Sequence, residues 1–108
     1  MSPLIELLYF ADCPNYQRAL ADLRAVLTRM GIAAEVVLIA VETQAEAERQ
    51  QFYGSPTIRI EGADIAPPSG ALQPALACRV YHDASGRPTP TPPLATIQAA
   101  LARGSAPA

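Results

Sequence analysis

Hydrophobic spacing in the N-terminal part of the chain predicts a strand, a helix and a second strand. Residues 4–10 are apolar at every position except Glu6, which is typical of a strand covered on both faces. Apolar residues then recur at helical spacing, at Leu20, Leu23, Leu27 and Met30. A helix is therefore expected over residues 14–30, ending at Gly31. The β-branched run at residues 36–41 predicts a second buried strand, parallel to the first across a right-handed crossover.

The middle of the chain predicts a second helix and a third strand. Thr43 and Glu46 have the spacing of a capping box, in which each side chain can satisfy the other residue's backbone N–H. The helix that they start is expected over residues 44–53, before the break at Gly54. Residues 58–61 alternate between apolar and charged side chains, which indicates a strand.

The C-terminal part predicts a loop, a fourth strand and a last helix. Residues 63–77 are rich in proline and show no period, so they are expected to form a loop with a helical turn near residues 71–77. The β character of residues 78–82 predicts a fourth strand, antiparallel to the third. The last helix is indicated by apolar residues at helical spacing, at Leu94, Ile97 and Leu101. It is expected to stop at Gly104.

The length of 108 residues indicates one folded domain over residues 1–108, with the core expected at residues 4–103 and a flexible tail at residues 104–108. Half of the residues are hydrophobic and 17% are charged, which excludes a disordered chain. The net charge of -2, with Arg and acidic residues interspersed, provides no basic patch for nucleic acid. No charged leader or long apolar run is seen, so no signal peptide or membrane span is expected, and the cytoplasm is the default compartment.

A cysteine lies where the first predicted strand meets the helix. Pro14 suits the first helical position because its missing N–H would have no partner there, so Cys13 is expected at or beside the N-cap. The positive end of the helix dipole favours the thiolate over the thiol. Cys13 is therefore a candidate nucleophile or ligand-binding thiol, and a buried, inert cysteine is the alternative.

Two short motifs stand at informative places in the predicted order β-α-β-α-β-β-α. Residues 13–16 (CPNY) lie at the first strand-to-helix junction, and residues 55–57 (SPT) come just before the third strand. Over residues 4–103 this arrangement resembles the small bacterial thioredoxin-like proteins with a CPxY motif in place of CxxC. The resemblance implies an α/β, thioredoxin-like fold with a four-stranded mixed sheet and helices on both faces.

The resemblance also implies how the second motif would serve the first. Pro56 would have a cis peptide bond and face the sulfur of Cys13. The backbone of Ser55 or Thr57 would then be free to pair with an extended peptide or with glutathione. A trans proline that starts the strand is the alternative.

Some residues depart from the thioredoxin pattern. Tyr16 stands in place of the second cysteine, and Asp12 and Leu7 stand where thioredoxins carry a tryptophan and a buried aspartate. The dithiol cycle of thioredoxin is therefore not implied, and Cys13 would act as a monothiol. Pro14 and Tyr16 would line its site, with the Tyr16 hydroxyl donating a hydrogen bond to the thiolate or to a ligand. A Tyr16 ring that packs over the strand junction is the alternative.

Cys78 and His82 belong to the predicted fourth strand. That strand begins at the far end of the sheet, about 13–16 Å from Cys13 at ~3.3 Å per residue. A disulfide spans at most about 7 Å between Cα atoms. Unless the Pro-rich loop folds it back, Cys78 is expected to be a packed core cysteine, with an intermolecular or resolving thiol as the alternative. The same geometry returns His82 to the site end, where a Cys/His pair and an ordinary surface histidine both remain open.

The leading hypothesis for function is thiol–disulfide exchange with a small thiol, such as glutathione, or with a protein partner. The chain would then be a thiol–disulfide oxidoreductase that lacks the second cysteine of CxxC. The alternative is a non-catalytic binding or adaptor module that docks a partner or a soft metal through Cys13. The Cys, His and Asp residues of the chain have no recognised metal-ligand spacing, so no resident metal or other cofactor is expected. The oligomeric state stays open, with an edge-strand dimer among the options.

Overall fold

Strand β1 (Ile5–Tyr9) lies inside the sheet of the computed structural model, which describes residues 3–68, 70 and 73–104. The sheet has four strands in the order β2-β1-β3-β4. The other three strands are β2 (Val36–Ala40), β3 (Thr57–Ile60) and β4 (Ala63–Asp64). Strand β1 pairs in parallel with β2 and antiparallel with β3, and β4 extends the sheet antiparallel to β3. The sheet is therefore mixed, as expected.

Three helices and a short ribbon complete the described chain. The helices are α1 (Tyr16–Met30), α2 (Gln44–Gln50) and α3 (Leu94–Gly104). The ribbon consists of β5 (Tyr81–His82) and β6 (Pro88–Thr89). These two strands pair antiparallel with each other and do not join the main sheet. The α/β class and the four-stranded mixed sheet are confirmed. None of the described helices combines the length and apolarity needed to cross a bilayer.

Side chains of β1 contribute to two hydrophobic clusters, because successive residues of a strand point to opposite faces. Leu7 belongs to a cluster that includes Leu23 of α1 and Ile97 of α3. Leu8 belongs to a second cluster with Phe52 and with Ala47 of α2. The apolar run that predicted this strand, broken only at Glu6, thus reflects packing on both of its faces.

Both early helices have ends that differ from the expected bounds. Helix α1 begins at Tyr16 rather than at Pro14, because the chain first makes a turn in which the Cys13 N–H donates to the Phe10 carbonyl at 2.9 Å. Cys13 therefore precedes the N-cap residue, Asn15, by two positions, and the expected place of Cys13 at or beside the cap is wrong. The C-terminal end is confirmed, since Gly31 caps it at φ 69°.

Helix α2 is shorter than expected. Its start is confirmed, because the Thr43 side chain accepts a hydrogen bond from the Glu46 N–H at 3.1 Å. It ends at Gln50, after which Gln51 takes a left-handed conformation at φ 51°. The Phe52 N–H then bonds back to the Ala47 carbonyl, and its ring is fully buried. Burial of Phe52 therefore ends the helix before residue 53.

The fourth strand of the sheet is not the one predicted. Glu61 and Gly62 both have positive φ values, 53° and 82°, which suit a two-residue hairpin turn. Strand β4 therefore forms directly after β3, inside the predicted loop 63–77. Residues 78–82 do not join the main sheet; only Tyr81 and His82 form a strand there, in the separate ribbon. The predicted helical turn at 71–77 and tail at 104–108 lie partly outside the described residues.

Candidate functional site

The sulfur atoms of the two cysteines lie together. The Cys78 thiol donates a hydrogen bond to the Cys13 sulfur, with 3.5 Å between the Sγ atoms, and no disulfide joins them. Cys13 is only 1% exposed, whereas Cys78 is exposed. The predicted separation of the two residues is therefore wrong, and so is the expectation that Cys78 is packed in the core. The Pro-rich segment folds back and brings Cys78 to Cys13.

The backbone of Ser55 holds the Cys78 segment in place. Its N–H donates to the Ala77 carbonyl at 2.7 Å, and its carbonyl accepts from the Arg79 N–H at 2.9 Å, which makes an isolated parallel bridge between Ser55 and Cys78. The same carbonyl accepts a hydrogen bond from the Cys13 thiol at 3.5 Å. Ser55 therefore contacts the segments of both cysteines. Of the two residues whose backbone the resemblance offered to a bound peptide, Ser55 already uses its own N–H and carbonyl in these contacts.

Two further hydrogen bonds guide the returning segment. The Gln44 side-chain amide donates to the Pro74 carbonyl at 2.8 Å, and the Ala75 N–H donates to the Phe52 carbonyl at 3.0 Å. The segment thus follows the chain from α2 towards Ser55. The first bond needs the Gln44 side chain and the second joins backbone groups only, and neither is signalled by an apolar period in the sequence.

Gly54 makes the close approach of this segment feasible. It has φ 134°, and a Cβ atom there would lie 2.9 Å from the Cβ of Arg79 and 3.2 Å from the Ala77 carbonyl oxygen. Both distances are too short for ordinary contacts. A side chain at Gly54 would therefore push the segment that carries Cys78 away from Ser55.

Arg79 anchors the segment on its other side. Its buried guanidinium forms an ion pair with Asp64 at 2.8 Å, donates to the Thr57 hydroxyl at 3.1 Å, and donates to the Ala66 carbonyl. It also lies over the Tyr81 ring, 4.7 Å from the ring centroid. Sequence analysis missed Arg79 and Asp64. The one signal available was an arginine inside a β-like run, with no spacing that linked it to an aspartate 15 positions earlier.

The Ser55-Pro56-Thr57 motif is held from both ends. The Ser55–Pro56 peptide bond is cis, as expected. The Tyr81 hydroxyl donates to the Pro56 carbonyl, and burial of that ring raises the pKa of Tyr81 far above its usual range, so the hydroxyl keeps its proton. The Thr57 hydroxyl donates to the Gly54 carbonyl at 2.7 Å. Ser55 also accepts the Phe10 N–H on its Oγ at 3.1 Å.

The remaining predicted site residues are Pro14, Tyr16 and His82. Pro14 is exposed in the turn before α1. The Tyr16 ring stacks on Tyr9, with 4.3 Å between ring centroids and 18° between ring planes, which is the packing alternative over the strand junction. His82 is exposed on β5 and lines a cleft with Cys78. Among the described residues it makes no hydrogen bond to either sulfur.

The cleft beside Cys78 has a volume of about 450 Å³. Its wall combines polar residues such as His82 and Thr96 with apolar and aromatic ones, namely Tyr53, Pro67, Pro68, Val80 and Pro93. A cleft of this size is within the range of small-ligand sites. The exposed thiol therefore opens onto a concave surface, whereas the buried thiol lies behind it.

The two thiols affect each other's ionisation. The hydrogen bond to Cys13 raises the pKa of Cys78 above its usual value, and desolvation and the charge of a Cys13 thiolate raise it further. Two thiolates at this distance would repel each other, which disfavours ionisation of Cys78 beside a Cys13 thiolate. Thiolate formation at the exposed position is thus coupled to the protonation state of Cys13.

Among the described residues, no group of three or more His, Cys, Asp and Glu side chains is placed to hold a metal ion. The two sulfurs form a two-ligand set, which suits only a soft ion of low coordination number. No family model, curated protein or solved structure matches this chain. What the site can do therefore follows from its own residues.

Proposed function

We propose that this chain exchanges thiols and disulfides with a small thiol or a protein partner, using Cys13 and Cys78 as a reactive pair. The observation that carries the proposal is the 3.5 Å contact between a buried and an exposed sulfur. To form a disulfide, the two sulfurs would have to move closer by about 1.5 Å, since the bond is roughly 2.0 Å long. The contact supplies the second thiol that the CPNY motif lacks.

We also propose that the fold is a variant of the thioredoxin fold. The parallel β1-α1-β2 unit, the antiparallel β3 and β4, and the C-terminal helix α3 support this interpretation. Cys13 after β1 and the cis Ser55–Pro56 bond before β3 support it at the site. The separate ribbon β5–β6 lies between β4 and α3 and is not part of the predicted β-α-β-α-β-β-α order.

The exchange takes place in two balanced steps. One thiol of the pair loses its proton to solvent, and its thiolate attacks a partner disulfide R–S–S–R′, forming a mixed disulfide and releasing R′–S⁻. The second protein thiol, deprotonated in turn, attacks the protein sulfur of that mixed disulfide and releases R–S⁻. The partner gains two electrons and the protein is oxidised to a Cys13–Cys78 disulfide. Two molecules of an external thiol such as glutathione, oxidised together to one disulfide, reverse both steps.

A binding module without turnover is the second candidate, and the burial of Cys13 favours it. In that case the cleft beside Cys78 would dock a partner, or the two sulfurs would hold a soft ion such as Cu(I), and no disulfide would form between the cysteines. The two candidates differ in whether electrons reach a partner.

Intact-mass measurement separates the candidates. Reduced protein is incubated with glutathione disulfide or with a cystine-bridged peptide and quenched in acid. Exchange predicts a product lighter by two hydrogen atoms, with release of the partner's thiols and recovery of the starting mass on adding excess reduced glutathione. The double variant Cys13→Ser with Cys78→Ser controls for other reactions. A wild-type mass that stays unchanged with both partners, with stoichiometric Cu(I) binding, would establish the binding module instead.

A further inference from the structure

The two sulfurs differ in access to a partner. The Cys13 sulfur donates to the Ser55 carbonyl, accepts from the Cys78 thiol, and belongs to a residue only 1% exposed. Attack on a disulfide needs an approach along the line of the breaking S–S bond, for which a buried sulfur has no room. Cys78 is exposed and opens onto the cleft of about 450 Å³.

The cleft also restricts the chemistry of the partner. Val80, two residues after Cys78, is 60% exposed, and Pro67 and Tyr53 form part of the same wall. The one arginine among the described lining residues is neutralised by Asp64 at 2.8 Å. A partner whose disulfide is flanked by carboxylates would find no unpaired arginine or lysine there, whereas apolar neighbours would contact Val80 and the aromatic wall.

We infer that Cys78 is the thiol that first meets the partner, that this partner is a peptide disulfide flanked by apolar side chains, and that Cys13 is the resolving thiol. The inference rests on the proposed function. The Cys78 thiolate attacks R–S–S–R′ and releases R′–S⁻, leaving a Cys78–S–S–R mixed disulfide in the cleft. The Cys13 thiolate, already beside the Cys78 sulfur, then attacks it and releases R–S⁻. This order reverses the roles implied by the Cys13-Pro14 motif, in which Cys13 attacks first.

Single-cysteine variants test the order. Cys13→Ser keeps only the Cys78 thiol. Cys78→Ser keeps only the Cys13 thiol, beside a serine side chain of nearly the same size as the cysteine it replaces. With an apolar cystine peptide, the Cys13→Ser variant is expected to accumulate the mixed disulfide at least as fast as the wild type loses its thiols, because no Cys13 thiolate then disfavours ionisation of Cys78. The Cys78→Ser variant should react at least about 100-fold more slowly, because its thiol becomes accessible only on local opening. Equal rates in the two variants, or faster reaction of Cys78→Ser, would overturn the order.

Two matched peptides test the partner class. They share one cystine and differ only in the flanking residues, Leu in one and Glu in the other, and each rate is divided by that of free cysteine with the same peptide. The Leu peptide is expected to react about ten times faster with the wild type, equivalent to about 1.4 kcal/mol. Equal normalised rates would overturn the partner class. A wild type that neither peptide oxidises refutes the proposed function itself, whereas a wild type that is oxidised while Cys78→Ser stays as fast refutes only the assigned order.

Discussion

Gly54 leaves no room for a side chain beside Arg79, since a Cβ atom added at Gly54 would come within 2.9 Å of the Arg79 Cβ and 3.2 Å of its Cα. This close approach lets residues 77–79 reach the backbone of Ser55. Because Cys78 stands between Ala77 and Arg79, the absence of a side chain at Gly54 decides how closely the two sulfurs approach. The lack of a side chain at Gly54 thus affects how readily Cys13 and Cys78 can form a disulfide.

Gly54→Ala should therefore lower both stability and the rate of Cys13–Cys78 disulfide formation. The variant adds a clash and strains a residue at φ 134°, which together should lower the free energy of unfolding by about 2–4 kcal/mol. Urea unfolding and timed oxidation of the reduced protein measure the two effects. Gly86→Ala is the matched control, since Gly86 has φ 86° and nothing within 4 Å of the added Cβ. Equal effects of both variants would contradict the role given to Gly54.

The ion pair between Arg79 and Asp64 should stabilise the protein because both side chains are largely buried. Asp64→Ala leaves the Arg79 charge without its partner and should lower the free energy of unfolding by about 3–5 kcal/mol. The pair Arg18–Asp22, at 3.7 Å with Arg18 exposed and Asp22 half-buried, provides the comparison: Asp22→Ala should cost less than about 1 kcal/mol. Chemical denaturation of the two variants side by side tests this, and equal losses would be inconsistent with an anchoring role for Asp64.

Cys13 should affect the reactivity of Cys78 by raising the pKa of the Cys78 thiol. A raised pKa lowers the thiolate fraction at neutral pH, so alkylation of Cys78 by iodoacetamide in the wild type should rise with pH to a midpoint above that of an ordinary thiol. Cys13→Ala removes the hydrogen bond and the neighbouring charge, so the midpoint should move to lower pH. Peptide mass spectrometry after timed alkylation measures it. A midpoint that stays in place or moves upward would show that Cys13 does not control Cys78.

Oxidation should stabilise the fold. A Cys13–Cys78 disulfide joins residues 65 positions apart, and in the chain-entropy model a loop of that size stabilises the native state by about 4 kcal/mol. The midpoint of urea unfolding should therefore be higher for the oxidised protein than for the reduced one. Cys78→Ser, treated with the same oxidant, should show no such increase. An oxidised wild type no more stable than the reduced form would mean that the bridge distorts the native site.

Local sequence pattern was enough to predict strands β1, β2 and β3 and the three helices, but not β4 or the ribbon β5–β6. The apolar run around Leu7 predicted β1, Gly31 correctly marked the end of α1, and Thr43 correctly marked the start of α2. These features depend on residues close together in the chain, through strand or helix period and through caps. The cis bond before Pro56 was expected only from the resemblance, since nothing in the flanking residues requires it.

The sequence by itself thus determined the α/β class and the position of Cys13 after the first strand. Tertiary structure decided that Cys78 is its neighbour, because that contact depends on backbone groups of Ser55, on the space left by Gly54 and on the ion pair of Arg79 with Asp64. None of these has a period or a fixed spacing along the chain. Contacts between distant segments are set by which backbone groups remain unpaired once the sheet has formed, and only the folded chain determines that.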